Sequence, residues 1–133
     1  MVKPYRKRIY AYECDLYGHL HNTNYLDILE AARSDALVDV GMPVQQLLDM
    51  GWHFYIRRVE MEFIQGVRVD DVVEVRSVPL ELNKVRTHWK QELFNQAGEL
   101  CFWAEIHVVH VFEGKPTRVT DEIWESFKRL ADS

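Results

Sequence analysis

The chain is poor in cysteine, in glycine and proline, and in positive charge. Two cysteines, Cys14 and Cys101, in 133 residues are too few for a disulfide framework and fit a reducing compartment. Six glycines and four prolines form no linker-like stretch, and there is no internal repeat or low-complexity segment. A formal net charge of −5 leaves no basic face for general nucleic-acid binding, although a local basic pocket for a phosphorylated ligand is compatible with it. No apolar run approaches the roughly 18 residues of a membrane span. The basic segment Met1-Val2-Lys3-Pro4-Tyr5-Arg6-Lys7-Arg8 is not followed by the apolar stretch of a secretion signal. These absences predict a soluble, cytoplasmic protein with no nucleic-acid and no membrane partner.

What is present is an ordinary core: 47% of the residues are apolar, and 133 residues suit one domain spanning 1–133. Alternation of Ile9 and Ala11 with Arg8 and Tyr10 predicts a first strand over Lys7–Glu13. A helix is predicted from Thr23 to Val40, with Tyr25, Ile28, Leu29, Ala32, Ala36 and Val40 as its apolar stripe. Asn22 or Thr23 is the expected cap, and Gly41 with Pro43 the stop. A short helical turn over Val44–Met50 ends at Gly51. Four strands follow, at His53–Phe63, Val72–Leu82, Val85–Phe94 and Leu100–Phe112, and Asn95-Gln96-Ala97-Gly98 forms a hairpin turn. Pro79 demands an edge or a bulge. A last helix runs from Asp121 to Leu130, with acidic residues at its start and Lys128 and Arg129 at its end. Hairpin-length connections make the late strands antiparallel, so one long helix lies across one sheet in an α+β domain. One helix cannot cover so wide a sheet. A second copy is expected to bury the rest, giving a homodimer or homotetramer.

The densest chemistry is in Cys14-Asp15-Leu16-Tyr17-Gly18-His19-Leu20-His21-Asn22-Thr23-Asn24-Tyr25. It carries a carboxylate, two imidazoles and two amides between a strand and a helix start. Such a position can aim polar side chains and free helix N–H groups at one small-molecule atom. A thiolate role for Cys14 is disfavoured by its neighbours Glu13 and Asp15, which raise a thiol pKa. His107-x-x-His110 cannot converge on a metal, because strand positions three apart face opposite sides. We expect no metal and no cofactor.

The element order together with Asp15-x-x-Gly18-His19-x-x-Asn22-x-x-Tyr25, continued by Glu30-x-x-Arg33, resembles the hotdog-fold thioesterases. The group it resembles most is the 4-hydroxybenzoyl-CoA thioesterase family, which includes the Tol–Pal-associated acyl-CoA thioesterases. The resemblance implies a hotdog fold, with five antiparallel strands wrapped around the long helix. It implies a dimer through the strand after that helix, with active sites at the interface. It also implies hydrolysis of an acyl-CoA, or of an acyl-carrier-protein thioester, to free acid and thiol. Asp15 then matches the catalytic carboxylate, as nucleophile or as general base. The backbone N–H of Asn22 would polarise the thioester carbonyl, and His19 would orient or share the base function. A thioester is electrophilic and thiolate leaves well, so one carboxylate and one oxyanion donor can suffice.

Tyr17, Gly18 and His21 are expected to contact the substrate, although Tyr17 replaces a usually small or polar residue and His21 replaces an asparagine of many relatives. Among the basic residues Arg57, Arg58, Lys84, Arg86 and Lys90, the candidates for the coenzyme A phosphates are Arg57, Arg58 and Arg86 above all. Trp52, Phe54, Tyr55, Trp89 and Trp103 are expected to be mostly core, with some of them lining an acyl pocket. Glu30 is the alternative carboxylate, because another branch of hotdog thioesterases carries its acid within the helix. The alternative function is a non-catalytic module that binds an acyl-CoA or acyl-carrier protein. A hotdog dehydratase or hydratase lacks its Pro- and Gly-rich setting here.

Overall fold

The computed structural model describes residues 1–132. In chain order its elements are β1 (Tyr5–Arg8), a 3-10 turn (Ala11–Glu13), α1 (Asn24–Asp39), α2 (Val44–Asp49), β2 (Trp52–Phe63), β3 (Val72–Leu82), β4 (Arg86–Phe94), β5 (Leu100–Phe112), β6 (Lys115–Pro116), α3 (Asp121–Phe127) and a closing 3-10 turn (Lys128–Ala131). The sheet runs β1-β3-β4-β5-β2 with every pairing antiparallel, and the two-residue β6 adds to β5. This is the hotdog architecture: a curled antiparallel sheet around one long helix.

The helix stripe expected from the sequence is what the sheet grips. Tyr25, Ile28, Leu29, Ala32 and Ala36 are buried against Val73, Val75, Trp89, Leu93, Phe102, Ala104 and Ile106 of the sheet. Full burial of each large aliphatic side chain is worth about 1.5–3 kcal/mol. The inward parity of β4 is Thr87, Trp89, Gln91 and Leu93, with Arg86, His88, Lys90 and Glu92 on the outer face. A second, smaller cluster joins Met42, Leu47, Trp52, Val119, Ile123 and Phe127, so α2 and α3 close one end of the curl.

Three local expectations are corrected. The first strand ends at Arg8 rather than Glu13, because Tyr10 to Glu13 curl into the 3-10 turn. There the Glu13 carboxylate accepts from the Tyr10 N–H at 3.0 Å and from Lys7 Nζ at 2.6 Å. Neither Asn22 nor Thr23 caps α1 through its side chain. Thr23 already has helical angles, and the chain is tied instead by Asn24, whose Nδ2 donates to the Glu13 carbonyl at 2.8 Å. The last helix is α only to Phe127 and tightens to 3-10 beyond it. Pro79 sits beside a register break between Pro79 and Glu81 in the β3–β4 ladder, and β1 pairs β3 only over Val72–Val75. Both readings of that proline therefore hold.

One polar group lies deep in the second half of the core. His110 has no exposed surface and stacks edge-on to Phe54 and Phe127, with ring centroids 5.3 and 5.6 Å away. Its Nδ1 faces the Lys84 carbonyl at 2.9 Å and must donate, which leaves Nε2 to accept from the Thr87 hydroxyl at 2.9 Å. Burial pushes its pKa below the ordinary imidazole value, with the Lys84 carbonyl opposing in part. A lowered folded pKa means that the neutral ring's stabilisation is complete above about pH 6.5, and is lost as pH falls through the folded value. We expect the urea midpoint to fall on acidification from about pH 7.5 to about pH 5, and His110→Asn to flatten that part of the profile. Equal slopes in the two proteins would exclude His110 as the source.

Candidate functional site

The segment between β1 and α1 is a tight loop built on its aspartate. Asp15 Oδ1 accepts from the backbone N–H of Tyr17 at 2.9 Å and of His19 at 3.0 Å. The Asp15 N–H donates to the His19 carbonyl at 2.8 Å, and the Gly18 N–H to the Asp15 carbonyl at 3.0 Å. Gly18 closes the turn at φ +78°, a left-handed conformation that costs an L-residue about 1–2 kcal/mol. A bridge of Cys14 to Leu20 closes the loop on itself, and one of His19 to Arg68 holds it against the segment after β2. The sequence folds this way because a short carboxylate can satisfy two turn N–H groups at once.

This arrangement fixes the charge on Asp15. The His19 N–H above all, with the Tyr17 N–H and the nearby His19 and His21 rings, holds its carboxyl below the usual aspartate pKa, and desolvation opposes them in part. Only Oδ1 is engaged, and Oδ2 accepts no hydrogen bond among the described residues. Asp15, His19, His21 and Asn22 line one open groove of about 560 Å³, together with Phe63 and Ile64 at the end of β2. The His19 ring lies against Gly66, 3.5 Å from where a Cβ would stand. The start of α1 forms the groove's other wall. The Asn24 N–H is taken by the His21 carbonyl at 2.9 Å, but no acceptor takes the N–H of Asn22 among the described residues. The groove thus holds an ionised carboxylate with a free oxygen and an unpaired N–H at a helix start. Together they can present a negative oxygen to a carbonyl carbon and a donor to its oxygen. Cys14 takes no part, since burial first, then Glu13 and Asp15, raise its thiol pKa.

The other sequence candidates lie elsewhere. Tyr17 is largely exposed on the far lip of the loop, where it shares a shallow recess with Ala11, Leu16 and the Asp15 and His21 side chains. Gly18 lines neither recess and acts through the turn. Arg57, Arg58 and Arg86 line a separate groove of about 540 Å³ on the outer face of the sheet, with His88 and His107 stacked 3.8 Å apart. Adjacent residues of a regular strand face opposite sides, yet Arg57 and Arg58 share this groove because β2 breaks register between Ile56 and Arg58. Arg58 pairs with Glu60 at 2.8 Å, and Arg86 reaches Glu81 at 3.9 Å. Lys84 is engaged with Asp121 at 2.7 Å. His107 and His110 point to opposite sides of β5, as their spacing requires.

Glu30 is exposed on α1, outside the Asp15 groove. It borders a third space of about 280 Å³ together with Arg33, Phe54, Tyr55 and Trp89. Sequence reasoning missed the polar network beside it. Gln91, fully buried, donates through Nε2 to the Leu29 carbonyl and to Ser77 Oγ, each at 3.0 Å. Its Oε1 accepts from the Arg33 guanidinium at 2.8 Å. The signal was the inward parity of β4, which puts one amide among Thr87, Trp89 and Leu93.

Comparison with known proteins bears on the fold and the family. Residues 9–129 match the Thioesterase-like superfamily. The chain is 25% identical to the acyl-CoA thioester hydrolase YbgC of Escherichia coli over 124 residues, covering 92% of each protein. Among solved structures, a hypothetical protein from Aquifex aeolicus superposes with a TM-score of 0.88 at 27% identity, over 94% of this chain and 98% of that one. A Staphylococcus aureus protein solved in complex with CoA shares the fold, with a TM-score of 0.88 at 12% identity over 96% of this chain and 82% of that one. With its helix-wrapping sheet and a match that spans all but the two ends, this chain belongs to the Thioesterase-like superfamily.

Proposed function

We propose that this protein hydrolyses an acyl-CoA thioester to the free acid and coenzyme A, with Asp15 as its catalytic carboxylate. The observation that carries the reading is the pairing, in one groove, of the free Asp15 Oδ2 with the unaccepted Asn22 N–H. The substrate carbonyl oxygen accepts from that N–H, where the positive end of the α1 dipole favours the developing oxyanion. The carboxylate then acts by one of two routes. It attacks the carbonyl carbon, giving an anhydride that water cleaves, or it takes a proton from the water that attacks. In both routes the C–S bond breaks and coenzyme A leaves as the thiolate. His19, whose backbone N–H clamps Asp15 and whose ring lines the groove, orients the carboxylate and can receive the proton. The name of the E. coli relative and the CoA in the S. aureus complex support an acyl-CoA rather than another ester. Within the superfamily, the spacing Asp15-x-x-Gly18-His19-x-x-Asn22 supports a reading as a thioesterase of the 4-hydroxybenzoyl-CoA and Tol–Pal-associated kind.

Binding completes the picture. Tyr17 and His21 contact the thioester arm, and Arg57, Arg58 and Arg86, which line a groove apart from the Asp15 groove of their own chain, hold the coenzyme A phosphates of a substrate in the groove of a second copy. β2 is a sheet edge, paired only with β5, and Tyr55, Ile56, Met61 and Phe63 along it are each 43–54% exposed. A second copy pairing at this edge buries them and brings a partner's β2 to the groove that Phe63 and Ile64 border, so the active protein is a homodimer.

On a panel of acyl-CoAs, thiol release should drop about 10²–10⁴-fold in Asp15→Asn, while its circular dichroism and size stay unchanged. Near-normal turnover would end the assignment. Because the carboxyl is held below its usual pKa, the acid limb of kcat/KM should lie below about pH 4. A limb in the ordinary imidazole range would move the base role to a histidine. Light scattering should give twice the 15.8 kDa chain mass, and Ile56→Glu/Met61→Glu should give the monomer. A monomeric wild type would reject the β2 interface.

A further inference from the structure

Within one chain, the space of about 280 Å³ beside α1 and the Asp15 groove share no lining residue, and Tyr55 and Ile56 of the β2 edge border the former. Its walls are mostly apolar, with Phe54, Trp89, Val108, Phe127 and Leu130 among them, and two charged residues, Arg33 and Glu30, also line it. That cation is unusually placed. Its guanidinium donates to the Gln91 carbonyl at 2.8 Å, and no carboxylate lies within ion-pairing distance among the described residues. Glu30, one turn before it on α1, acts on it only through its field. Burial lowers the guanidinium pKa, the sign of a charge held away from water. The Gln91 amide cannot turn to relieve it. Both Nε2 hydrogens are already given to acceptors, so its oxygen stays fixed on Arg33. Of the five guanidinium N–H donors, those not used on Gln91 remain for a ligand. His110, at the base of the space, is committed to Thr87 and Lys84 and offers no competing charge.

A largely buried fork of donors with an apolar chamber in front of it matches one chemistry, a carboxylate on an apolar body. We propose that this chamber binds such a carboxylate, its charged end on Arg33 and its hydrocarbon among Phe54, Trp89 and Leu130. A space of about 280 Å³ takes a body of acyl size. The carboxylate has two possible sources: a free carboxylic acid, or the far end of an acyl group that bears a second acid. The inference goes beyond thioester hydrolysis and needs no turnover to be tested.

Titration calorimetry with octanoate and with octanol reads the charge preference. Octanoate should bind at least about tenfold more tightly than octanol in the wild type, since a bidentate ionic pair adds to the same hydrocarbon burial. Arg33→Gln should lose that preference, Arg33→Lys should keep part of it, and Glu30→Gln should strengthen it by removing the neighbouring negative field. Two thioethers that cannot be hydrolysed, S-octyl-CoA and S-(7-carboxyheptyl)-CoA, separate the sources. A preference for the carboxylated thioether, lost in Arg33→Gln, assigns the carboxylate to the acyl group, and octanoate preference without it assigns a free acid. Equal binding of octanoate and octanol to the wild type, together with equal binding of the two thioethers, overturns the proposal. The wild-type comparison stands even if the Arg33 variants fail to fold. Loss of hydrolysis in Asp15→Asn bears on the Asp15 reading alone.

Discussion

The grip of the curled sheet on the apolar stripe of α1 is the constraint on which everything else rests. With Leu29 and Ile28 buried against β4 and β5, the helix axis is fixed across the concave face. Its first turn is thereby fixed over the loop that follows β1. That loop has little freedom left. Asn24 ties the helix start back to the Glu13 carbonyl, and Asp15 closes the turn between them. The chemistry proposed for the groove therefore rests on burial some distance from it, which sets where an unpaired N–H meets an ionised oxygen.

The same grip creates the polar exception in the core. A helix pressed this close to a sheet leaves the Leu29 carbonyl and the Arg33 side chain facing β4. Gln91 answers both, with Ser77 as its second acceptor. Removing Gln91 would take this partner from the Arg33 guanidinium and the Ser77 hydroxyl, at about 1–3 kcal/mol each, while the Leu29 carbonyl keeps its helical bond. On the outer face the logic is different. Charges there pair loosely in water, as Arg58 does with Glu60, and shape a groove more than they stabilise the fold.

The long elements were legible because their periodicity is strong. β5 spans Leu100–Phe112 as read from its alternation, and α1 departs by one residue at each end. What escaped was decided by tertiary contacts. The segment Tyr10–Glu13 alternates like a strand, yet a lysine and a backbone N–H converge on the Glu13 carboxylate and curl it. Thr23 looks like a cap, but its angles are already helical. At the site, the Asp15 loop was legible from its residue types and spacing. That the arginines would sit on another face was not, because a bulge at Arg57 depends on the partner strand's register. Arg33 and Gln91 are 58 residues apart, and only the folded chain makes them neighbours.

The two rims of the sheet are finished differently. At one, β1 is four residues long, preceded by Pro4 and carrying Arg6, Lys7 and Arg8; beyond its reach β3 turns on Pro79 and a register break. Short length, like charge and a missing amide all discourage another strand from zipping on there. The rim formed by β2 is three times as long, and Tyr55, Ile56, Met61 and Phe63 are exposed along it between its charged residues. Strand-to-strand association is thus directional. In the proposed pairing, two molecules that meet at β2 each use up the longer border, and an isologous contact of that kind closes on a pair instead of running on into a fibre.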